Sequence, residues 1–141
     1  MDSLPYLYGQ LLKATDELHA LYCIAVRGGD IPPQLAGSSL FQSAAEAPVR
    51  TLNILSSRIM PYYSWAKSYR LKGIKESGKE SRRAGWLCVM CEKIMTELRD
   101  AWTPQTRFND AEKAQLFIGY LAEFPKKEQN ENNSEEDAVN E

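Results

Sequence analysis

A chain of 141 residues, 43% of them apolar, has the size and composition of one folded unit with a single modest core. It contains no apolar run near the roughly 20 residues needed to span a bilayer, which excludes a membrane-spanning chain and a wholly disordered one. The formal net charge of -2 conceals an uneven distribution: from Arg50 to Arg83 nine basic residues face Glu76 and Glu80, whereas from Lys126 onward two lysines face six carboxylates.

Leu4, Leu7, Leu11, Ala14, Leu18, Leu21 and Ala25 recur at alternating steps of three and four, so they share one face of a helix. Ser3 is placed to cap it, Pro5 suits its first turn, and Gly28-Gly29 supplies the exit, which predicts a first helix from Leu4 to about Arg27. Ile31-Pro32-Pro33 and Gly37-Ser38-Ser39 then read as a loop, with room for one short helix from Leu40 to Glu46. Pro48 opens a second long helix through Val49, Leu52, Leu55, Ile59, Tyr62, Ala66 and Tyr69. Pro61 is expected to kink it or break it in two, because proline cannot donate to the carbonyl of Ser57.

Gly73 to Arg83 has the glycine, serine and charge content of a flexible linker. Leu87, Cys91, Ile94, Leu98 and Ala101 form the next apolar stripe, ended by Thr103-Pro104. Asn109 with Glu112 predicts a capping box that starts a last helix through Ala114, Phe117, Leu121 and Phe124, closed by Pro125. The expectation is therefore an all-α bundle of four to five helices over residues 1–125, followed by a disordered acidic tail over 126–141 that has too few apolar residues to offset the entropy of ordering.

Motifs with chemical content are few. Gly73-Ile74-Lys75-Glu76-Ser77-Gly78-Lys79 spells most of a phosphate-binding loop, but Glu80 stands where a magnesium-binding hydroxyl belongs and no apolar strand precedes it. Cys88 and Cys91, with His19 and Cys23, supply four formal zinc ligands; yet Cys88, Cys91, Met95, Leu98 and Trp102 read better as a buried stripe. His19 is the one histidine and has no partner set for acid-base or nucleophilic work, so no catalytic residue, metal or cofactor is expected. Three irregularly placed cysteines and a start, Met1-Asp2-Ser3, without a secretory pattern point to the cytoplasm.

The basic stretch, with Tyr62, Tyr63, Trp65 and Tyr69 among its charges, suits nucleic acid: cations release counterions from phosphates and exposed rings stack on unpaired bases. Solvation of an ordinary surface over core aromatics is equally compatible with the composition, and Arg50, Arg58, Lys67 and Arg70 do not share one face of a straight helix.

Three stretches tip that balance: Tyr6-Leu7-Tyr8-Gly9-Gln10-Leu11-Leu12, then Ala47-Pro48 before an apolar helix, then Ala114-Gln115-Leu116-Phe117-Ile118-Gly119-Tyr120. In this order and spacing they resemble the C-terminal region of the type I-C CRISPR large subunit, a region that in that family is also made separately as the small subunit of the Cascade surveillance complex. The resemblance spans roughly residues 4 to 124, and a chain starting at Met1 just before the first stretch fits the separate form. Where the family has a basic-aromatic-Gly-Ser/Ala stretch, this chain reads Gln34-Leu35-Ala36-Gly37-Ser38-Ser39, and a histidine pair common in the following helix is absent, with Pro61-Tyr62-Tyr63 in that neighbourhood.

The resemblance implies a non-catalytic helical subunit, present in more than one copy, that helps hold the DNA strand displaced when guide RNA pairs with its target. Its implied partners are the large and backbone subunits with guide RNA, and the displaced single strand; no membrane is involved. The expected phosphate contacts are Arg50, Arg58, Lys67, Arg70, Lys72, Lys75, Lys79, Arg82 and Arg83. The alternative is a helical protein-protein adaptor without nucleic-acid contact.

Overall fold

The computed structural model describes residues 3–72 and 78–123, with side chains over 3–67 and 82–123. Five α-helices make up this part: α1 (Leu4–Val26), α2 (Phe41–Glu46), α3 (Pro48–Lys72), α4 (Gly78–Leu98) and α5 (Asp110–Leu121), with one 3-10 turn over Ser38–Leu40 leading into α2. There is no strand among the described residues, and no helix among them is long and apolar enough to cross a membrane.

The ends of α1 follow from local chemistry. The Ser3 hydroxyl accepts from the Tyr6 N–H at 3.3 Å, satisfying an amide that has no partner within the first turn. At the other end Gly28 (φ 64°) and Gly29 (φ 87°) take the left-handed conformation, and the Gly29 N–H returns to the Cys23 carbonyl at 3.1 Å. Helix α1 is the hub, in contact with α3, α4, α5 and the 3-10 turn. Consequently it buries more than the predicted stripe: Leu11, Ala14 and Leu18 are inaccessible, and so are Tyr8, Leu12 and Thr15.

Three sequence expectations need correction. Helix α3 runs unbroken through Pro61, because the proline lies exposed while Ile59 and Tyr63 on either side are held in the core; the two-helix break does not form. Helix α4 starts at Gly78, so the second half of the supposed linker is helical; Gly73–Ser77 lies outside the described residues. Finally, α5 is rotated from its expected face. Leu116 and Gly119 are buried, whereas Ala114 is exposed and Phe117 and Leu121 are 51% and 59% exposed. It ends at Leu121, ahead of Phe124 and Pro125, which fall outside the described residues, as does the 126–141 tail.

The rotation of α5 has a steric origin. A Cβ on Gly119 would collide with the Tyr6 carbonyl oxygen, and one on Gly9 with the Leu116 carbonyl oxygen. Two glycines thus let the backbones of α1 and α5 touch, and Gln10 Nε2 donates to the Gly119 carbonyl at 2.6 Å across the junction. Near the same end of α1, the Tyr8 hydroxyl donates to the Pro48 carbonyl at 2.7 Å, and its ring packs against Trp102 and Phe108.

Contacts along α1 set the helix directions. Tyr8 meets Pro48, His19 meets Tyr62 and Tyr22 meets Trp65, so α1 and α3 run the same way; Glu17 meets Arg83 while Tyr8 meets Trp102 just beyond α4, so α4 runs against them. One end of the bundle therefore gathers the C-terminal turns of α1 and α3 and the N-terminal turns of α4.

Candidate nucleic-acid interface

That end collects most of the expected phosphate contacts. Lys67, Arg70 and Lys72 occupy the last turns of α3, and Lys79, Arg82 and Arg83 the first turns of α4. Lys75, in the intervening segment, lies outside the described residues, as do the side chains of Arg70, Lys72 and Lys79. Over 67–83 the sequence sets seven cations against Glu76 and Glu80. Cations in the first turns of α4 oppose its dipole, at roughly 0.3–1 kcal/mol each for exposed groups.

The described side chains are engaged to different degrees. Arg82 is exposed. Lys67 pairs with Glu92 at 3.8 Å, but both side chains are more than half exposed, so the pair is worth little and exchanges readily with other ions. Arg83 is committed to the fold: Nε donates to Glu17 Oε2 at 2.7 Å and Nη2 to Glu17 Oε1 at 2.8 Å, a bidentate clamp of α4 on α1. Arg50 and Arg58 stand apart from this cluster. Arg50 is exposed about 25 Å from Lys67 along α3, at 1.5 Å per residue. Arg58 is exposed roughly half a turn round the helix from Lys67, and its Nη1 donates to Ser39 Oγ at 2.9 Å.

Beside the basic end, four half-buried rings line the seam between α1 and α3. His19 stacks on Tyr62 with centroids 4.7 Å apart and planes 16° from parallel; Tyr22 lies 5.1 Å from Tyr62 and meets Trp65 edge-on at 5.9 Å. Arg58, Tyr62 and Trp65 follow one another at steps of four and three, which aligns them on the face of α3 that meets α1. Burial, with Cys23 and Tyr22 adding to it, pushes the Tyr62 hydroxyl up from its ordinary pKa, and Arg58 and Arg27 pull the other way. Of the four aromatics within the basic stretch, Tyr63 is core, with 5% exposure. Tyr69 has no described side chain.

Sequence reasoning assigns neither Tyr22 nor Arg27 to a site, and it weighs His19 only as a metal ligand or a catalytic group. Nothing in a single sequence pairs Tyr22 with Trp65, which lie on different helices. His19 Nδ1 accepts from the Ala36 N–H at 3.0 Å, so its lone pair is used within the fold. Cys23, Cys88 and Cys91 are buried, and burial pushes the Cys91 thiol far above its ordinary pKa, which keeps it protonated. No group of three or more histidine, cysteine or acidic side chains placed to hold a metal gathers among the described residues. The residues leading into Gly73 are helical, unlike the strand that precedes a phosphate-binding loop.

No protein-family model, curated protein or solved structure matches the chain.

Proposed function

We propose that this chain is a non-catalytic, single-strand-binding subunit that acts as the small subunit of a type I-C CRISPR surveillance complex and steadies the DNA strand displaced by guide pairing. The observation that carries the reading is the basic end of the bundle, where the last turns of α3 carry Lys67, Arg70 and Lys72 in sequence and the first turns of the antiparallel α4 carry Lys79 and Arg82. A displaced strand is a flexible polyanion, for which clustered cations without base-specific geometry suffice. The three stretches that carry the family resemblance also converge in space: Tyr8 reaches Pro48, and Gly9 and Gln10 meet Gly119.

The test is charge reversal of Lys72, Lys75 and Lys79 to glutamate, measured as binding of the assembled complex to target duplex and protection of the displaced strand from nuclease. Loss of three phosphate contacts should flatten the slope of log affinity against log salt by about 2. Unchanged affinity and protection would rule out this surface.

One observation favours the adaptor reading. Ala114, Phe117, Ile118 and Leu121 are all exposed and repeat at steps of three, one and three, an apolar stripe along the outer face of α5. An adaptor would lose its protein partner on Phe117→Asp, whereas strand binding at the opposite helices would persist.

A further inference from the structure

Resting on the nucleic-acid reading, we propose that the α1–α3 seam is a stacking site for unpaired bases, with Tyr22, Tyr62 and Trp65 supplying rings and Arg27 and Arg58 contacting the adjoining phosphates.

The placement of the rings is the first ground. Helix α3 sends Tyr63 into the core but leaves Tyr62 and Trp65 half-buried, and α1 meets them with His19 and Tyr22, which are half-buried as well. Each ring touches the next at 4.7 to 5.9 Å, so the array is fixed at low entropic cost. Two exposed guanidinium groups flanking the seam are the second ground. Arg58 is one helical turn before Tyr62, and Arg27 caps the end of α1. Aromatic faces beside cations are the combination that binds a single strand, where rings hold bases and cations hold the backbone. A duplex does not qualify, because its bases are already stacked on one another. A proline-rich peptide also fits aromatic grooves, but it has no phosphates for Arg27 and Arg58 or for the basic end beyond them.

The seam and the basic end lie toward the same end of the bundle but on different sides of α3, since two residues turn the helix by about 200°. Trp65 is two residues before Lys67 on α3, and Tyr22 and Arg27 belong to the last turns of α1 at the same end of the bundle.

The full-length chain at low salt is titrated with oligo(dT) and with an abasic oligonucleotide of equal length and charge, following affinity and tryptophan emission. Stacking predicts roughly tenfold or tighter binding of oligo(dT) over the abasic strand, with emission quenched. In Trp65→Phe the quenching is lost while most of the affinity remains, because a ring is still present; Trp86→Phe and Trp102→Phe keep the quenching. Trp65→Ala reduces the preference for oligo(dT) several-fold. Equal binding of the two strands overturns the stacking site and leaves the charge-based reading standing. Binding of neither overturns both. The comparison of strands uses the unmodified protein, so it decides the matter even where an alanine variant does not fold.

Discussion

Replacing Gly119 with alanine sets two effects of opposite sign against each other. In the interior of a helix alanine is favoured over glycine by about 0.8–1.0 kcal/mol, so propensity alone makes the variant more stable. Packing argues the reverse. The new Cβ would collide with the Tyr6 carbonyl oxygen and stand 2.9 Å and 3.1 Å from the Tyr6 carbonyl carbon and Cα. These are backbone atoms in the first turns of α1, which no side-chain rotation can move. Overpacking of this kind costs about 1–3 kcal/mol. Separation of the helices also stretches the 2.6 Å hydrogen bond from Gln10 to the Gly119 carbonyl, worth about 1 kcal/mol when buried. The net expectation is a loss of roughly 1–3 kcal/mol, seen in urea unfolding followed by helical circular dichroism as a lower midpoint with an unchanged slope. A variant as stable as the parent, or more stable, would show that α1 and α5 do not approach through their glycines and would remove the physical basis for the rotated face of α5.

Two further perturbations probe the loop before α2. The Asp16 side chain accepts from the Gly37 N–H at 2.7 Å and the Ser38 N–H at 2.9 Å, and from the Tyr120 hydroxyl, whose pKa burial and this contact push up to about 12. Asp16→Ala leaves three donors without their acceptor and should cost about 3 kcal/mol or more by the same unfolding assay, with Asp16→Asn in between; a loss under 1 kcal/mol would contradict the buried hub. His19 is held below its ordinary pKa of 6.5 by burial, opposed by Asp16 and assisted by Arg27. Below pH 6.5 the unfolded chain takes up a proton that the folded one resists, so this contribution is fully present above pH 6.5 and is lost as pH falls. His19→Gln should flatten that part of the stability profile, and an NMR titration placing the imidazole above 6.5 would contradict it.

What a sequence reveals here is what local hydrogen bonding decides. The Ser3 cap, the Gly28-Gly29 exit and the Asn109–Glu112 box are each closed within six residues, and all three occur where the residue types require. The missed features depend on distant groups. The first turns of α4 are tied to α1 by Arg83 clamping Glu17, 66 residues away, which flexible composition conceals. The face of α5 is hidden from the sequence because Phe117 and Leu121 look like core, while the contact that orients the helix is made by a glycine with no side chain to signal it. Pro61 breaks nothing because it sits on the solvent side. In the candidate site, the charge excess was legible and its gathering at one end of the bundle was not, since that requires the direction of α4 relative to α3. The ring seam needs two helices some 40 residues apart in sequence to meet, and periodicity within one helix is silent on that.

The most direct test of a polyanion-binding end is the salt dependence of single-stranded DNA affinity for the purified full-length chain. With about five phosphates engaged, log affinity should fall against log salt with a slope of about -3 to -4. A slope near zero, or no binding at low salt, would contradict the account.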